Sequence, residues 1–138
     1  MKYLHAMIRV ADPDRSLAFY QRGLGLQLLR RKDHEGGRFT LYFLAFAPGE
    51  PEIELTHNWD GGVYPRGAAF GHLAFAVDDI YDRCRQLIDH GVTIARPPRD
   101  GRMAFVRDPD GISIELLQHG AALPVREPWA SMPNVGTW

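Results

Sequence analysis

The sequence predicts an α+β fold built from two copies of one module, each with the element order βαβββ. Two observations support this prediction. Residues 5–12 line up without gaps on residues 72–79, since both segments begin with His, have Val at the sixth place and end in Asp. Further along each copy, the Ile-Glu-Leu triplet at residues 53–55 matches the same triplet at residues 114–116. An internal repeat constrains the fold more strongly than the propensity of any single segment.

The first copy starts with a predicted strand at residues 2–10, where the side chains alternate with a period of two. Asp12 is suited to cap a helix whose first residue is Pro13. Gly23 and Gly25 are expected to end this helix. Three further strands follow in this copy, at about residues 26–31, 39–46 and 52–57.

The second copy repeats this order. Its helix is predicted from a single apolar stripe, formed by Ile80, Cys84, Leu87 and Ile88. Gly91 ends the helix. Three strands follow, at about residues 92–96, 103–107 and 112–118. The Asp-Pro-Asp-Gly segment at residues 108–111 fits a type I turn, so the last two strands are expected to form a hairpin.

The composition excludes several classes of protein. The 138 residues include 16 Lys and Arg against 17 Asp and Glu, and a formal net charge of −1 gives no general affinity for nucleic acid. The longest apolar run, residues 41–47, is too short to span a bilayer, and the N-terminus lacks the apolar block of a secretory signal. We therefore expect a cytoplasmic protein without nucleic-acid or membrane partners. The single cysteine, Cys84, is expected to be a buried and inert thiol.

The repeat also predicts the domain organisation. We expect a single domain at residues 1–120, made of modules at about residues 1–60 and 70–120. The boundary lies within residues 58–70, which are rich in Gly and polar side chains. Residues 121–138 form a C-terminal tail with several Pro and Trp residues and no counterpart in the repeat. This tail has three alternative roles. It covers a dimer, it covers a pocket, or it packs on an exposed groove.

Alternation along the predicted strands places four side chains of the metal-ligand type on faces turned away from the core. They are His5, Glu54, His72 and Glu115. A single His or Glu on such a face is usually solvated surface, but surface residues have no reason to recur as the same pair in both copies. Imidazole and carboxylate together suit a divalent transition metal, and two of each leave positions open for water or substrate.

The chain resembles the glyoxalase I family of the vicinal oxygen chelate superfamily. The resemblance covers residues 1 to about 120. It rests on five stretches, at residues 5–10, 16–25, 53–59, 70–75 and 105–115. The Ser-Leu-Ala-Phe-Tyr segment in the second stretch is common to the whole superfamily. The Glu-Leu-Thr-x-Asn-Trp segment in the third, together with all four candidate ligands, is specific to glyoxalase I.

This resemblance implies the glyoxalase/bleomycin-resistance/dioxygenase fold and the activity of a lactoylglutathione lyase. That activity isomerises the hemithioacetal of methylglyoxal and glutathione into S-D-lactoylglutathione and thereby detoxifies methylglyoxal. The resemblance implies that the metal ligands are His5, Glu54, His72 and Glu115. Glu115 matches the family's catalytic base, and Glu54 would be the second catalytic carboxylate.

The resemblance also implies how the substrate and the metal are held. Arg9 and Asn58 match positions that hold glutathione, with Arg9 facing the carboxylate of the γ-glutamyl part. Arg102 is the cation expected for the glycine carboxylate. One divalent metal is expected per site, and the short loops resemble the bacterial class activated by Ni²⁺ or Co²⁺, with Zn²⁺ as the alternative.

Members of this family form homodimers whose active sites lie at the subunit interface. The resemblance therefore implies that His5 and Glu54 of one subunit meet His72 and Glu115 of the other. Two other functions compete with the isomerase. Extradiol dioxygenases and fosfomycin thiol transferases of the same superfamily resemble a three-ligand site without an acid at the place of Glu54. A non-catalytic binding protein, similar to those that sequester bleomycin, lacks the metal ligands.

Overall fold

The computed structural model describes residues 2–65, 67 and 69–138. Within them the chain is α+β, with two four-stranded sheets and a helical segment beside each. The chain divides into two compact units, Met1–Pro65 and Arg66–Trp138, which are described separately below as unit 1 and unit 2. Unit 2 includes the C-terminal tail. In the described residues, no helix has the length and apolar character needed to cross a membrane.

Unit 1 contains the first βαβββ module. Its elements are β1 at His5–Arg9, α1 at Pro13–Leu17, β2 at Gln27–His34, β3 at Phe39–Ala45 and β4 at Glu52–Asn58. The strand order in the sheet is β1-β4-β3-β2. β1 and β4 are parallel neighbours, whereas β3 is antiparallel to both of its neighbours.

Unit 2 repeats this module with the same topology. Its elements are β5 at His72–Val77, α2 at Ile80–Asp89, β6 at Ile94–Arg96, β7 at Met103–Arg107 and β8 at Ser113–Gln118. The strand order is β5-β8-β7-β6, with β5 parallel to β8. The predicted pair of βαβββ modules is therefore confirmed.

Both helices begin where the sequence predicts. The Oδ1 atom of Asp12 accepts hydrogen bonds from the backbone N–H groups of Asp14 and Arg15, at 3.0 and 3.1 Å. Asp79 caps α2 in the same way, since its Oδ1 atom accepts from the N–H groups of Tyr81 and Asp82. Each cap satisfies donors that a helix N-terminus otherwise leaves unpaired, a contribution of about 1 kcal/mol.

The first helix differs from the uniform α-helix that the sequence predicts. After α1 the chain continues as a π-helical segment at Ala18–Gly23. The predicted end is correct, because Gly25 has a φ of +86° and its N–H group donates to the carbonyl of Gln21 at 3.0 Å. A positive φ costs glycine little, so the chain can leave the helix at this point.

The apolar stripe predicted for α2 is wrong at one position. Ile80, Cys84 and Leu87 are fully buried, but Ile88 is 44% exposed. Tyr81 is buried in its place and packs against Trp129 of the tail, with ring centroids 6.1 Å apart. Burial raises the pKa of the Cys84 thiol to about 12, in keeping with the inert thiol that the sequence predicts.

Two predicted turns can be compared with the structure. The 108–111 segment forms the expected hairpin turn, since the N–H group of Gly111 donates to the carbonyl of Asp108 at 3.0 Å. The loop that the sequence predicts after residue 31 is instead strand, because β2 runs on to His34. The His34 ring stacks on Phe39 at 4.6 Å, and this contact extends the β2–β3 hairpin.

Candidate metal centre

One His–Glu pair lies on the first sheet of unit 1. β1 and β4 are parallel neighbours in a register that places His5 beside Glu52 and Met7 beside Glu54. His5 and Glu54 are therefore diagonal neighbours on one face of the sheet. The Nε2 atom of His5 lies 3.1 Å from the Oε2 atom of Glu54. The His5 side chain is 40% exposed and that of Glu54 is 14% exposed.

A second His–Glu pair lies on the sheet of unit 2. β5 and β8 have the same parallel register, with His72 beside Ser113 and Ala74 beside Glu115. The Nε2 atom of His72 again lies 3.1 Å from the Oε2 atom of Glu115. The exposed fractions are 43% for His72 and 14% for Glu115, almost the same as in unit 1. The repeat seen in the sequence is thus reproduced in the geometry of both pairs.

The donor atoms of each pair suit a divalent metal. An ion with bonds of roughly 2.1 Å at right angles has neighbouring donors about 3.0 Å apart. The 3.1 Å separation in each pair fits two neighbouring ligands of such an ion. Neither unit, in the residues that the structure describes, holds a cluster of three or more His, Cys, Asp or Glu side chains suited to a metal. Each pair by itself therefore supplies two ligands.

An aromatic ring supports each pair, and the sequence analysis missed both rings. Phe43 on β3 lies beside Glu54 in the register, and its ring meets the His5 ring edge to face, 6.3 Å away. Phe105 on β7 lies beside Glu115 and meets His72 in the same way at 5.5 Å. Edge-to-face contacts of this kind restrict the orientation of an imidazole. Strand alternation could have found these rings, because each Phe shares the face of its neighbouring Glu.

The surroundings of the two rings differ. In unit 1 the guanidinium of Arg30 lies 3.8 Å above the centre of the Phe43 ring. The same guanidinium pairs with both carboxylate oxygens of Glu52, and its Nη2 atom lies 2.6 Å from Oε2. This hydrogen-bonded pair lowers the pKa of Glu52 below its ordinary value. Glu52 is thus occupied by Arg30, which leaves Glu54 as the acid that faces His5.

Unit 2 has a different arrangement at the equivalent positions. Arg96 lies beside Phe105 in the register, just as Arg30 lies beside Phe43. Its guanidinium, however, donates to the carbonyl of Met103 and to Asp100. The Phe105 ring is instead stacked against Trp138 of the tail, with centroids 5.8 Å apart and planes at 23°. One pair thus has a cation as its neighbour and the other has an indole.

Two of the three candidate glutathione residues lie on the same face as the pair of unit 1. Arg9 is beside Thr56 in the register, so Arg9 and Asn58 are diagonal neighbours, as His5 and Glu54 are. The Arg9 guanidinium has no ion pair or side-chain hydrogen bond with any residue that the structure describes. The Asn58 amide donates from Nδ2 to the Tyr64 hydroxyl at 3.1 Å.

The third candidate, Arg102, belongs to unit 2 and lies just before β7. Its Nη1 atom donates to the carbonyl of Gly120 at 3.3 Å. Its backbone N–H group donates to Asp100 at 2.9 Å, which fixes the turn that precedes the strand. The structure therefore places Arg9 and Asn58 on the same sheet face as the pair of unit 1. Arg102 lies in unit 2 with hydrogen bonds to Gly120 and Asp100, and among the described residues it has no hydrogen bond or ion pair with His72 or Glu115.

Comparison with known proteins identifies the family of the chain. The family model described as Glyoxalase/Bleomycin resistance protein/Dioxygenase superfamily matches residues 2–116. A lactoylglutathione lyase of Neisseria meningitidis is 46% identical over 125 residues, covering 86% of this chain and 91% of that protein. A lactoylglutathione lyase of Haemophilus influenzae is 44% identical over 126 residues, covering 86% and 93%.

The chain is also similar to solved structures. The trypanothione-dependent glyoxalase I of Leishmania major superposes with a TM-score of 0.82 at 41% sequence identity, covering 86% of each chain. The resemblance inferred from the sequence is thereby confirmed. The repeated fold, the two equivalent His–Glu pairs and these relatives lead to one conclusion: the chain belongs to the Glyoxalase/Bleomycin resistance protein/Dioxygenase superfamily.

Proposed function

We propose that the chain is a lactoylglutathione lyase, which isomerises the hemithioacetal of methylglyoxal and glutathione into S-D-lactoylglutathione. The observation that carries this proposal is the pair of equivalent His–Glu arrangements, each with a 3.1 Å separation. Relatives with this name are 44% and 46% identical to the chain. An acid is present in both pairs, which disfavours the dioxygenases and thiol transferases with three ligands. The ligand-type side chains likewise disfavour a binding protein without metal.

The proposed metal ligands are His5, Glu54, His72 and Glu115. Two imidazoles and two carboxylates give an octahedral ion four bonds and leave two positions for the substrate. Nitrogen and oxygen ligands accept several first-row ions, and our proposal is one Ni²⁺ or Co²⁺ per site, with Zn²⁺ less effective. When bound, such an ion would stabilise the negative charge that develops on the substrate oxygens during the proton transfer.

The proposed site is shared between two subunits of a homodimer. Each His–Glu pair belongs to a different compact unit and provides only two ligands. We infer that the pair of unit 1 in one subunit combines with the pair of unit 2 in its partner. A two-fold axis then produces two equal sites per dimer. In this proposal the modules of residues 1–120 act together as one functional domain.

The proposed role of Glu115 is to carry the proton. In the hemithioacetal, one carbon bears a hydroxyl, the sulfur and a hydrogen, and its neighbour is a carbonyl carbon. Glu115 takes the hydrogen on the first carbon as a proton and returns it to the neighbouring carbon, while the hydroxyl proton moves from the oxygen of the first carbon to the oxygen of the second. The first carbon thereby becomes the thioester carbonyl and the second carries the hydroxyl. The Glu115 side chain is only 14% exposed, which limits exchange of the proton with water. Glu54, in the equivalent place, is the second catalytic carboxylate.

The proposed substrate contacts use one cation from each unit, together with an amide of unit 1. Arg9 has a guanidinium without a partner among the described residues, and we assign it to the γ-glutamyl carboxylate of glutathione. Asn58, its diagonal neighbour, offers an amide to the same part. Arg102 is assigned to the glycine carboxylate. A glutathione adduct requires a free thiol, so we propose a cytoplasmic location, where thiols are kept reduced.

The experiment that tests this proposal is an assay with methylglyoxal and glutathione that follows the ultraviolet absorbance of the thioester product. We expect activity in protein purified without chelator, loss of activity on chelation, and better recovery with Ni²⁺ or Co²⁺ than with Zn²⁺. A matched reaction with trypanothione tests the identity of the thiol. Protein without bound metal and without any response to added metals would contradict the proposal.

A further inference from the structure

The C-terminal tail, residues 121–138, lies outside the residues 2–116 that the family model matches. Its first part packs on α2. The Tyr81 hydroxyl donates to the carbonyl of Pro124 at 3.0 Å, and the Trp129 ring stacks on the Tyr81 ring at 6.1 Å. Trp129 is only 2% exposed. Because large aromatic side chains dominate the burial of apolar area, these contacts fix the start of the tail on the helix side of the sheet.

The middle of the tail crosses the edge of the sheet at β6. The N–H group of Val135 donates to the carbonyl of Ala95 at 2.9 Å. The guanidinium of Arg99 donates to the carbonyl of Met132 at 3.0 Å. β6 is the last strand in the sheet order, so the Val135–Ala95 bond lies at an edge that pairs with no further strand of the described residues.

The end of the tail reaches the opposite face, which carries the His72–Glu115 pair. The Nε atom of Arg107 donates to the carbonyl of Thr137 at 2.8 Å. Trp138 then stacks on Phe105, the ring that contacts His72 edge to face. Trp138 is 41% exposed, so part of the indole that stacks on Phe105 is available for a further contact.

In the part of the chain that the structure describes, no indole stacks on the aromatic ring beside the pair of unit 1. The ring equivalent to Phe105 is Phe43, and the Arg30 guanidinium covers it. An indole suits an apolar or aromatic group, whereas a guanidinium paired with Glu52 suits a polar one. The apolar part of a substrate therefore has a partner at the Glu115 end of the site.

We propose that Trp138 determines specificity for the side group of the 2-oxoaldehyde, favouring aromatic 2-oxoaldehydes over methylglyoxal. This inference rests on the proposed function. The side group is attached to the carbon that receives the proton from Glu115. Phe105 lies beside Glu115 in the register, and Trp138 stacks on Phe105. A phenyl group can stack on the exposed part of the indole, whereas a methyl group contacts only a small part of it.

The test compares kcat/KM for the glutathione adducts of phenylglyoxal and methylglyoxal in the metal-loaded protein, Trp138→Ala and Trp138→Phe. We expect Trp138→Ala to lower the phenylglyoxal-to-methylglyoxal ratio about five-fold, and Trp138→Phe to restore most of it. Val135→Ala, on an exposed side chain of the same tail, is the matched control and should leave the ratio unchanged. Calorimetry should show a matching loss of affinity for S-benzylglutathione but not for S-methylglutathione.

Each outcome gives a decision. An unchanged ratio in active Trp138→Ala overturns the inference while leaving the proposed function intact. An equal loss of kcat/KM for both adducts, with dissociation of the dimer in size-exclusion chromatography, would assign Trp138 a structural role. That result would also overturn the inference. Wild-type protein inactive on both adducts contradicts the proposed function, and the S-benzylglutathione affinities then decide the inference about Trp138 separately.

Discussion

Glu115 and Glu54 show how far residue types alone predict the site. Strand alternation and the repeat placed both carboxylates and both histidines on faces turned away from the core, because the parity of a strand decides which face a side chain occupies. The register of the parallel strands, seen only in the structure, brings each carboxylate beside its histidine. The sequence did not predict that the two pairs have different surroundings. The Arg30 guanidinium covers Phe43, whereas the Trp138 indole covers Phe105. Those contacts depend on which long side chain turns back over the ring, and strand parity holds no information about that.

Substitution of Glu115 separates proton transfer from metal binding. We expect Glu115→Gln to lower kcat by about 10²- to 10⁴-fold, since the proton carrier is lost, while three charged or imidazole ligands still hold most of the metal. Turnover and bound metal per chain are measured on the same sample. Glu127→Gln, in the tail, serves as the control with the same chemical change. Near-normal kcat in metal-loaded Glu115→Gln would show that another group moves the proton.

Arg9 should affect substrate use more than turnover. Removal of a charge-assisted contact to a carboxylate weakens binding by about ten-fold or more, so we expect Arg9→Ala to raise KM for the glutathione adduct with a smaller change in kcat. Arg9→Lys keeps the charge and should recover part of the affinity. Arg22→Ala removes an exposed arginine of the helical segment and tests for a general effect of charge. A KM in Arg9→Ala equal to that of the control would show that Arg9 does not bind the substrate.

At the level of elements, capping and alternation predicted most of the fold. The helix caps at Asp12 and Asp79 and the turn at 108–111 are each set by a few neighbouring residues, so the sequence predicts them well. The π-helical segment at Ala18–Gly23 was missed, because it is only 6 residues long, which is too short for the apolar pattern to separate a π turn from an α turn. The burial of Tyr81 was missed for another reason, since its partner Trp129 is distant in sequence.

The corrected face of α2 leads to a stability prediction. Leu87 is fully buried, so Leu87→Ala should lower the free energy of unfolding by about 2–5 kcal/mol through lost burial and the resulting cavity. Ile88→Ala, at the next position, should change it by no more than about 0.5 kcal/mol, because Ile88 is half-exposed. Urea unfolding of the two variants is the measurement. Equal losses of unfolding free energy in the two variants would mean that Ile88 belongs to the buried stripe, as the sequence predicts.

For the whole molecule, the repeat predicted two modules but not the path of the tail. The family match ends at residue 116, and the tail continues across α2, the β6 edge and the face of the second pair. Its contacts come from Trp side chains and from backbone groups without any sequence period, and such contacts are decided by packing. The assembly of the proposed site depends instead on symmetry, because each unit provides only one pair of ligands.

A mixed dimer tests this shared site directly. One chain carries His5→Ala and Glu54→Ala, the other carries His72→Ala and Glu115→Ala, and each is expected to be inactive alone. After co-refolding, a mixed dimer holds one site without any of its four ligands and one intact site. Half of the randomly formed dimers are mixed and each has one of two sites, so activity should recover to about a quarter of the wild-type value.

Two controls make the recovery interpretable. Co-refolding His5→Ala with Glu54→Ala mixes chains damaged in the same unit, so no mixed dimer can contain an intact site. Wild-type protein taken through the same refolding sets the scale. Sites built within one chain cannot recover in any mixture, because every chain lacks part of its own ligand set. Background activity in dimers shown by mass spectrometry to be mixed would therefore exclude the shared site, whereas recovery would mean that ligands of both units meet across the subunit interface.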